Sequence, residues 1–430
     1  MKAILTPARL GGTAAVPPSK SAAHRAVLCA ALAQGTSHIE GLEYSQDIAA
    51  TLDAVTQLGA RVQRTETGVT IAGRGGSSGF ATVTRPVFCN ESGSTLRFLI
   101  PVFSLTAQKV RFTGAGRLFQ RPQTVYQMLF ERQGLRFAQD EDGITIFGQL
   151  RPGGFTLPGD VSSQFISGLL FAAPLMASES TIEVNAPYES RSYVDLTLDA
   201  MQRFGVKVAV RQRKNGSALY RIPAPQNYTA CDVQVEGDYS QAAFLAVLGC
   251  AVGDLAVQGL AADTHQGDRV ILDILQRCGG KFSATEQGLQ FEKSALRATE
   301  IDLADCPDLG PVLFVLGCLC KGETVIRNAG RLRLKESDRI AAMCAELEKM
   351  GGKLRVEGDT VTITGTALHA PTEPLDGHND HRIVMALAVA AYAAEVPAVI
   401  EGAQAVRKSW PNFFEVLRSL GAAVQLQEEE

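Results

Sequence analysis

Hydrophobic positions along this chain fall into two kinds of run that alternate. In the first kind, apolar residues recur at helical spacing and the run stops at a glycine. The instances are 52–58 before Gly59, 126–133 before Gly134, 198–204 before Gly205, 272–278 before Gly279, 346–350 before Gly351 and 414–420 before Gly421. Each glycine is the residue expected just past a helix end, where it takes positive φ at no steric cost. After it the period falls to two, as in Val69-Thr70-Ile71, Ile144-Thr145-Ile146 and Val361-Thr362-Ile363, with Gly68, Gly143 or Gly358 near a hairpin turn. In the second kind of run the apolar residues are nearly continuous. Such a run precedes a short strand and turn, as at 35–42 and 322–328.

Together the two kinds make a unit of helix, strand, helix and β-hairpin, repeated six times with its glycines 70 to 75 residues apart. The last unit stops after Val424-Gln425-Leu426, short of a second hairpin strand, while Lys2-Ala3-Ile4-Leu5 is a strand without a unit. The N-terminal strand is therefore expected to complete the last sheet, so that the chain crosses twice between two three-unit halves. The crossings are expected near 14–16 and within 222–235. This gives an N-terminal domain over 14–229 and a C-terminal domain formed by 1–13 and 230–430.

The apolar helices carry the candidate chemistry at their starts. Leu169-Leu170-Phe171-Ala172-Ala173 and Ile383-Val384-Met385-Ala386-Leu387 hold no charge and should be buried all round. Yet what precedes or opens each helix is polar: Ser19-Lys20-Ser21 with His24-Arg25, Glu91-Ser92-Gly93-Ser94-Thr95, Ser162-Ser163-Gln164, Glu236-Gly237-Asp238, Asp305-Cys306-Pro307-Asp308, and Asn379-Asp380-His381-Arg382. Two prolines before Ser19 end the preceding segment, and Ser19 is a good N-cap. Basic side chains crowded onto free helix N–H groups are a means of binding anions. Packed around an axis, six such starts would face one cleft and trap anionic ligands.

Composition narrows the reading. A length of 430 residues implies two or three domains, and 46% hydrophobic with 20% charged residues is the balance of a globular protein. A net charge of −4 gives no sign of a polyanion-binding surface, so basic residues are judged by where they cluster. No apolar run of membrane-spanning length is free of charge, and the N-terminal residues do not read as a signal peptide. The nine cysteines are scattered, without CxxC, as expected of reduced thiols in a cytoplasmic protein. Neither His nor Cys spacing suggests a metal site, and Gly114-Ala115-Gly116 fails the dinucleotide fingerprint. No metal and no cofactor are expected.

At eight stretches the chain resembles the enolpyruvyl transferase family. They are Pro18-Ser19-Lys20-Ser21 with Arg25, Ser92-Gly93-Ser94-Thr95-Leu96-Arg97, Arg121-Pro122, Ser162-Ser163-Gln164-Phe165, Pro307-Asp308, Leu334-Lys335-Glu336-Ser337-Asp338-Arg339, Asp380-His381-Arg382, and Lys408-Ser409-Trp410-Pro411. They stand in the family's order and span almost the whole chain. The resemblance implies an α/β fold of two inside-out globular domains, each of three βαβαββ-type repeats around buried helices. It further implies transfer of the enolpyruvyl group of phosphoenolpyruvate to the 5-hydroxyl of shikimate 3-phosphate, with release of phosphate. The expected partners are those two small molecules, with no nucleic acid and no membrane, acting on a monomer.

Residue by residue, the resemblance assigns catalysis to Asp308, Glu336 and Lys20. Asp308 would face the hydroxyl, Glu336 would exchange a proton with the methylene carbon, and Lys20 would lie between the substrates. Phosphoenolpyruvate would be held by Lys20, Gly93, Arg121, Gln164, Arg339, Arg382 and Lys408. Shikimate 3-phosphate would be held by Ser21, Arg25, Ser162, Ser163, Gln164, Ser190, Asp308 and Lys335. A carboxyl that donates a proton at neutral pH must sit well above its ordinary pKa of ~4. Two positions depart from the family: Glu91 stands where Asn is common, and Arg331 where some members have an Asn at the shikimate phosphate.

Blander readings compete at several points. The run from Arg333 to Arg339 has the composition of a solvated helix start, and His24 and His381 read as structural histidines. A sister enzyme acting on UDP-N-acetylglucosamine would carry a Cys in the loop occupied here by 115–120 and an Asn after the first Lys. A six-unit DNA clamp would line its hole with basic helix faces and not helix starts. A binding protein for phosphometabolites would not favour the carboxylates Asp308 and Glu336.

Overall fold

A computed structural model describes residues 1–286 and 288–428, so residue 287 and the last two of the expected C-terminal domain lie outside the described residues. Among the described residues there are twelve α-helices: α1 (Lys20–Leu32), α2 (Gln46–Gln57), α3 (Gly93–Phe103), α4 (Thr124–Arg132), α5 (Ser163–Ala172), α6 (Arg191–Arg203), α7 (Tyr239–Val252), α8 (Val270–Arg277), α9 (Gly310–Leu319), α10 (Arg339–Lys349), α11 (His381–Ala393) and α12 (Phe413–Ser419). The odd-numbered helices are the apolar ones. In α11 every residue from His381 to Tyr392 is buried. At roughly 1.5–3 kcal/mol for each large apolar side chain removed from water, these central helices hold their domains together. The even-numbered helices bury one face. All six glycines that follow them take positive φ, from +69° at Gly134 to +103° at Gly59.

Six small sheets share one plan. In the third repeat, Gly154–Leu157 runs parallel to Ser180–Val184, which pairs antiparallel with Ala218–Ile222, itself antiparallel to Ala209–Gln212. The order is first, second, fourth, third, and it recurs in every sheet. Parallel neighbours need a crossover helix and antiparallel ones need only a hairpin, which is why one helix lies between the first two strands and a tight turn between the last two.

Three sheets borrow strands from distant sequence. Lys2–Thr6 lies between Ala398–Glu401 and Ala423–Gln427, with Ala3 opposite Ile400 on one side and Leu426 on the other. Gly12–Ala15 runs parallel to Leu255–Gln258 and supplies the first strand of the fourth repeat. The first repeat takes its opening strand from the end of the third, where Tyr228–Thr229 and Val233–Gln234 pair with Ala33–Glu40.

The chain divides accordingly into two compact units, Ser19–Val235 and Met1–Pro18 with Glu236–Glu430. The crossings fall at 18–19 and 235–236, against expected boundaries at 13–14 and 229–230, because the strand at 12–15 belongs to one sheet and the strands at 228–234 to another. Each unit has its own hydrophobic core.

Candidate active site

In the 19–235 unit, the expected residues sit at helix starts. Ser19 caps α1, its hydroxyl accepting from the Ala22 N–H at 3.3 Å. Lys20 then opens the helix and donates to Asp47 Oδ2 at 2.9 Å, Asp47 lying in the first turn of α2 with 6% exposure. Arg25 is 3% exposed. Its guanidinium donates to Thr197 Oγ1 at 2.8 Å, to the Tyr193 carbonyl at 2.7 Å and to the Ser21 carbonyl at 2.7 Å, tying α1 to α6. Burial lowers its pKa to about 10, so it keeps its charge at neutral pH. Ser190, next to the start of α6, has a left-handed backbone with φ +52° and is buried. Such a conformation costs a non-glycine residue energy, and strained residues of this kind cluster at ligand sites.

Gly93, Arg121 and Gln164 meet. A Cβ on Gly93 would stand 2.9 Å from Gln164 Oε1 and 3.0 and 3.1 Å from the terminal nitrogens of Arg121, so a larger residue would displace the ends of those two side chains. Gln164 follows Ser163 in α5, with Ser162 as the helix cap. Its Oε1 accepts from Arg97 at 2.8 Å, and its Nε2 donates to Ser94 Oγ at 3.0 Å. Arg97 lies over the Phe165 ring at 4.7 Å and donates to the Pro122 carbonyl at 3.0 Å.

The other unit is built on ion pairs. Asp308 lies in the short 3-10 turn Pro307–Leu309 before α9. It accepts from Lys335 at 2.9 Å, Arg382 at 3.3 Å and Arg339 at 3.4 Å. Arg339, 1% exposed, also binds Glu336 at 2.8 Å and Asp380 at 2.8 Å. Asp380 caps α11, accepting from the Arg382 N–H at 2.9 Å, and takes a further bond from the Ser337 hydroxyl at 3.0 Å. Arg382 reaches Ser240 Oγ at 2.8 Å and the Asp308 carbonyl at 3.0 Å. Lys408 donates to the Asn379 carbonyl at 2.5 Å. These contacts bring Asp308, Lys335, Glu336, Arg339 and Arg382 together, with Lys408 on the residue before the α11 cap.

The electrostatics follow from that crowding. Burial opposes charge on Asp308, but Lys335, then Arg382 and Arg339, outweigh it and hold the carboxyl well below the usual carboxylate range. Burial likewise opposes charge on Asp380, and Arg339 again outweighs it. Lys335 is pushed down by burial, only partly offset by Asp308. The solvated helix start expected for the 333–339 run holds for Arg333, half-exposed on Asp338 at 3.3 Å, and fails for the buried Arg339. His24 and His381 are both buried.

Sequence reasoning did not single out Asp47, Arg97, Asp380 as a hub, or Ser240. A signal for them existed. Lys20–Asp47 and Asp308–Lys335 are each 27 residues apart, the distance from the start of an apolar helix to the start of the next helix. Ser94–Gln164 spans 70, one whole repeat, so equivalent positions of neighbouring units touch.

The family model for EPSP synthase (3-phosphoshikimate 1-carboxyvinyltransferase) matches residues 4–417. A 3-phosphoshikimate 1-carboxyvinyltransferase of Clostridium kluyveri is 41% identical over 430 residues, covering 98% of this chain and 97% of that protein. Its counterpart in Clostridium perfringens is 38% identical over 429 residues, with 99% of each covered. Among solved structures, an EPSP synthase from Acinetobacter baumannii superposes with a TM-score of 0.80 at 25% identity, over 99% of this chain and 100% of that one. The enolpyruvyl transferase NikO from Streptomyces tendae shares the fold, with a TM-score of 0.77 at 17% identity over 99% and 98% of the two chains.

Proposed function

Because the chain belongs to the EPSP synthase (3-phosphoshikimate 1-carboxyvinyltransferase) family, we propose that its helix-start residues carry out that family's enolpyruvyl transfer in the roles derived below. The reaction joins the 5-hydroxyl oxygen of shikimate 3-phosphate to C2 of phosphoenolpyruvate. The hydroxyl proton leaves to a base while C3 of phosphoenolpyruvate gains a proton and becomes a methyl group. In the second step the C2–O bond to phosphate breaks, the methyl group returns a proton and the double bond re-forms. The products are the enolpyruvyl ether and inorganic phosphate.

The observation that supports these roles best is Arg339, whose guanidinium holds Asp308 at 3.4 Å and Glu336 at 2.8 Å and so keeps two acid/base groups within one side chain's reach. Asp308 is a carboxylate in this unit, so its role is to accept from the substrate hydroxyl. Its basicity is low while Lys335, Arg382 and Arg339 face it. Anionic substrates that draw on Lys335 and Arg382 weaken that hold and raise its basicity when the hydroxyl is present. Glu336 then serves C3, and Lys20, fixed by Asp47, neutralises the charge of phosphoenolpyruvate. Gly93, Arg121, Gln164, Arg339, Arg382 and Lys408 complete the phosphoenolpyruvate side. Ser21, Arg25, Ser162, Ser163, Ser190 and Lys335 serve shikimate 3-phosphate, with Gln164 shared between the two.

The proposal extends to a cytoplasmic monomer, in keeping with nine cysteines that are all free thiols. Among the described residues, no helix is long and apolar enough to cross a membrane. Phosphate release from phosphoenolpyruvate, measured with shikimate 3-phosphate and in parallel with UDP-N-acetylglucosamine, tests the reading. Release is expected only with the former and is lost in Lys20→Ala and Glu336→Ala. Release only with the sugar nucleotide would sink it.

A further inference from the structure

One buried polar chain in the 19–235 unit has no part in the roles above. His24 is 1% exposed and lies one turn after Lys20 on α1, while Thr51 lies one turn after Asp47 on α2. The two helices are therefore joined by successive rungs, Lys20 to Asp47 at 2.9 Å and His24 Nδ1 to Thr51 Oγ1 at 2.8 Å. Thr51 Oγ1 continues to Thr95 Oγ1 at 2.6 Å, and Thr95 Oγ1 to Ser92 Oγ at 2.8 Å. Ser92 is the cap of α3 and immediately precedes Gly93.

Counting protons gives the chain a direction. Ser92 Oγ accepts from the Thr95 N–H at 3.1 Å as well as from its hydroxyl. With the Thr95 proton committed to Ser92, the 2.6 Å contact to Thr95 takes the Thr51 proton in preference to the Asp47 carbonyl at 3.3 Å, and His24 Nδ1 must carry the proton that goes to Thr51. His24 Nε2 is then a bare nitrogen, buried and without a hydrogen-bond partner. The opposite tautomer would leave a buried N–H without an acceptor, the rarer and costlier defect. Burial, and then the Lys20 and Arg25 charges, also keep a second proton off this ring. Ser92's own proton is the one donor that the chain does not use internally.

Building on the functional reading above, we propose that His24, Thr51 and Thr95 form a positioning relay for the phosphoenolpyruvate side of the site. The relay locks the start of α3, with Ser92 and Gly93, to the α1–α2 rung that carries Lys20. None of the three is a catalytic residue. Arg25 on the same helix is held separately through α6 and itself holds the Ser21 carbonyl, so the shikimate 3-phosphate side does not depend on the relay.

The test uses two pairs of variants in the full-length enzyme. Thr95→Val removes the hydroxyl at nearly constant shape and Thr95→Ser keeps it. His24→Asn keeps a donor at the Nδ1 position, and His24→Gln moves it to the Nε2 position. The KM for phosphoenolpyruvate should rise about tenfold in Thr95→Val and His24→Gln, as for loss of a buried hydrogen bond. It should return towards wild type in Thr95→Ser and His24→Asn, while the KM for shikimate 3-phosphate stays unchanged in all four. Nitrogen-15 NMR of wild type should show Nδ1 protonated and Nε2 bare. Equal rises in both KM values, unchanged constants alongside a lowered melting temperature, or an Nε2–H tautomer would each overturn the relay. If wild type releases no phosphate, the functional reading fails instead. The relay is then decided by the tautomer and by calorimetric binding of phosphoenolpyruvate to the same variants, with weaker binding in Thr95→Val supporting it and unchanged binding overturning it.

Discussion

The two units use one repeat plan and hold their helix starts by opposite means. In the 19–235 unit the links between starts are mostly neutral: Thr51 to Thr95, Gln164 to Ser94, and Ser167 to Thr197 at 2.8 Å. In the other unit they are ionic, with Asp308, Glu336 and Asp380 all on Arg339. Neutral hydroxyl chains fix geometry without spending charge, and Lys20 on Asp47 is the ionic exception in this unit. A buried ionic hub fixes geometry and cancels charge, so its cations are already engaged before any anion arrives. The proposed roles put the acid/base work on the ionic unit, where the protonation of Asp308 is set by Lys335, Arg382 and Arg339.

The largest difference should appear when each network loses its centre. Arg339→Met takes the guanidinium from the buried Asp380 and from Glu336, and one of three cations from Asp308, and should destabilise its unit by about 3–5 kcal/mol. Urea unfolding would show this as a much lower midpoint. Lys20→Met strands only Asp47 and should cost about 1–3 kcal/mol, although both variants lose phosphate release. Equal midpoints would mean that Arg339 is a ligand-binding residue and not the hub of the fold.

Next in size is chemistry. Asp308→Asn keeps the shape and removes the charge that Lys335, Arg382 and Arg339 surround. It should lower kcat about 10²–10⁴-fold, as for loss of a general base, with a smaller change in either KM. A rise in the KM for shikimate 3-phosphate at constant kcat would reassign Asp308 to binding alone.

How much of this was legible beforehand differs between fold and site. The six-fold plan could be read because the helix-ending glycines recur at a fixed period and every one takes positive φ. The crossings were displaced by a few residues because 12–15 and 228–234 are short strands flanked by Gly or Pro, without the alternation that marks longer ones. Motifs identified Lys20, Asp308 and Arg339, but neither Asp47 as the partner of Lys20 nor Asp380 as the buried partner of Arg339. A motif names the residue that meets the ligand, whereas Asp47 and Asp380 face inward and are recognised only by what they bind. Arg339 looked like surface because its neighbours Lys335 and Arg333 are polar; its burial depends on Asp380, 41 residues away.

A smaller effect separates the neutral unit's own parts. Arg97→Lys keeps the charge and loses the fork that reaches Gln164 and the Pro122 carbonyl together. Because lysine cannot reproduce that planar bidentate geometry, the KM for phosphoenolpyruvate should rise several-fold, by about 1 kcal/mol of binding. Stability should hardly move, in contrast to Arg339→Met.

The smallest effect concerns pH, and it too belongs to the ionic unit. His378 Nε2 meets Glu346 at 2.9 Å, and Glu346 also binds Lys349 at 2.8 Å and the Asp376 N–H at 2.9 Å. This clamp ties α10 to the loop whose Asn379 carbonyl receives Lys408. The bond to Glu346 raises the His378 pKa above its ordinary 6.5, with Asp376 adding to it and burial and Lys349 opposing it. A group with a raised folded pKa contributes its full stabilisation below the unfolded value and loses it as pH rises through the folded one. Glu346 behaves in the opposite sense: burial opposes its charge, but His378 and Lys349 lower its pKa below 4.5, so its share is lost only as pH falls through that lowered value. The clamp is therefore strongest between these limits and loosens as pH rises through the raised His378 value, by less than about 1 kcal/mol because the ring is partly exposed. His378→Gln should flatten the alkaline slope of stability measured by urea unfolding, leaving the acid slope in place. An unchanged alkaline slope would mean that the neutral imidazole binds Glu346 equally well.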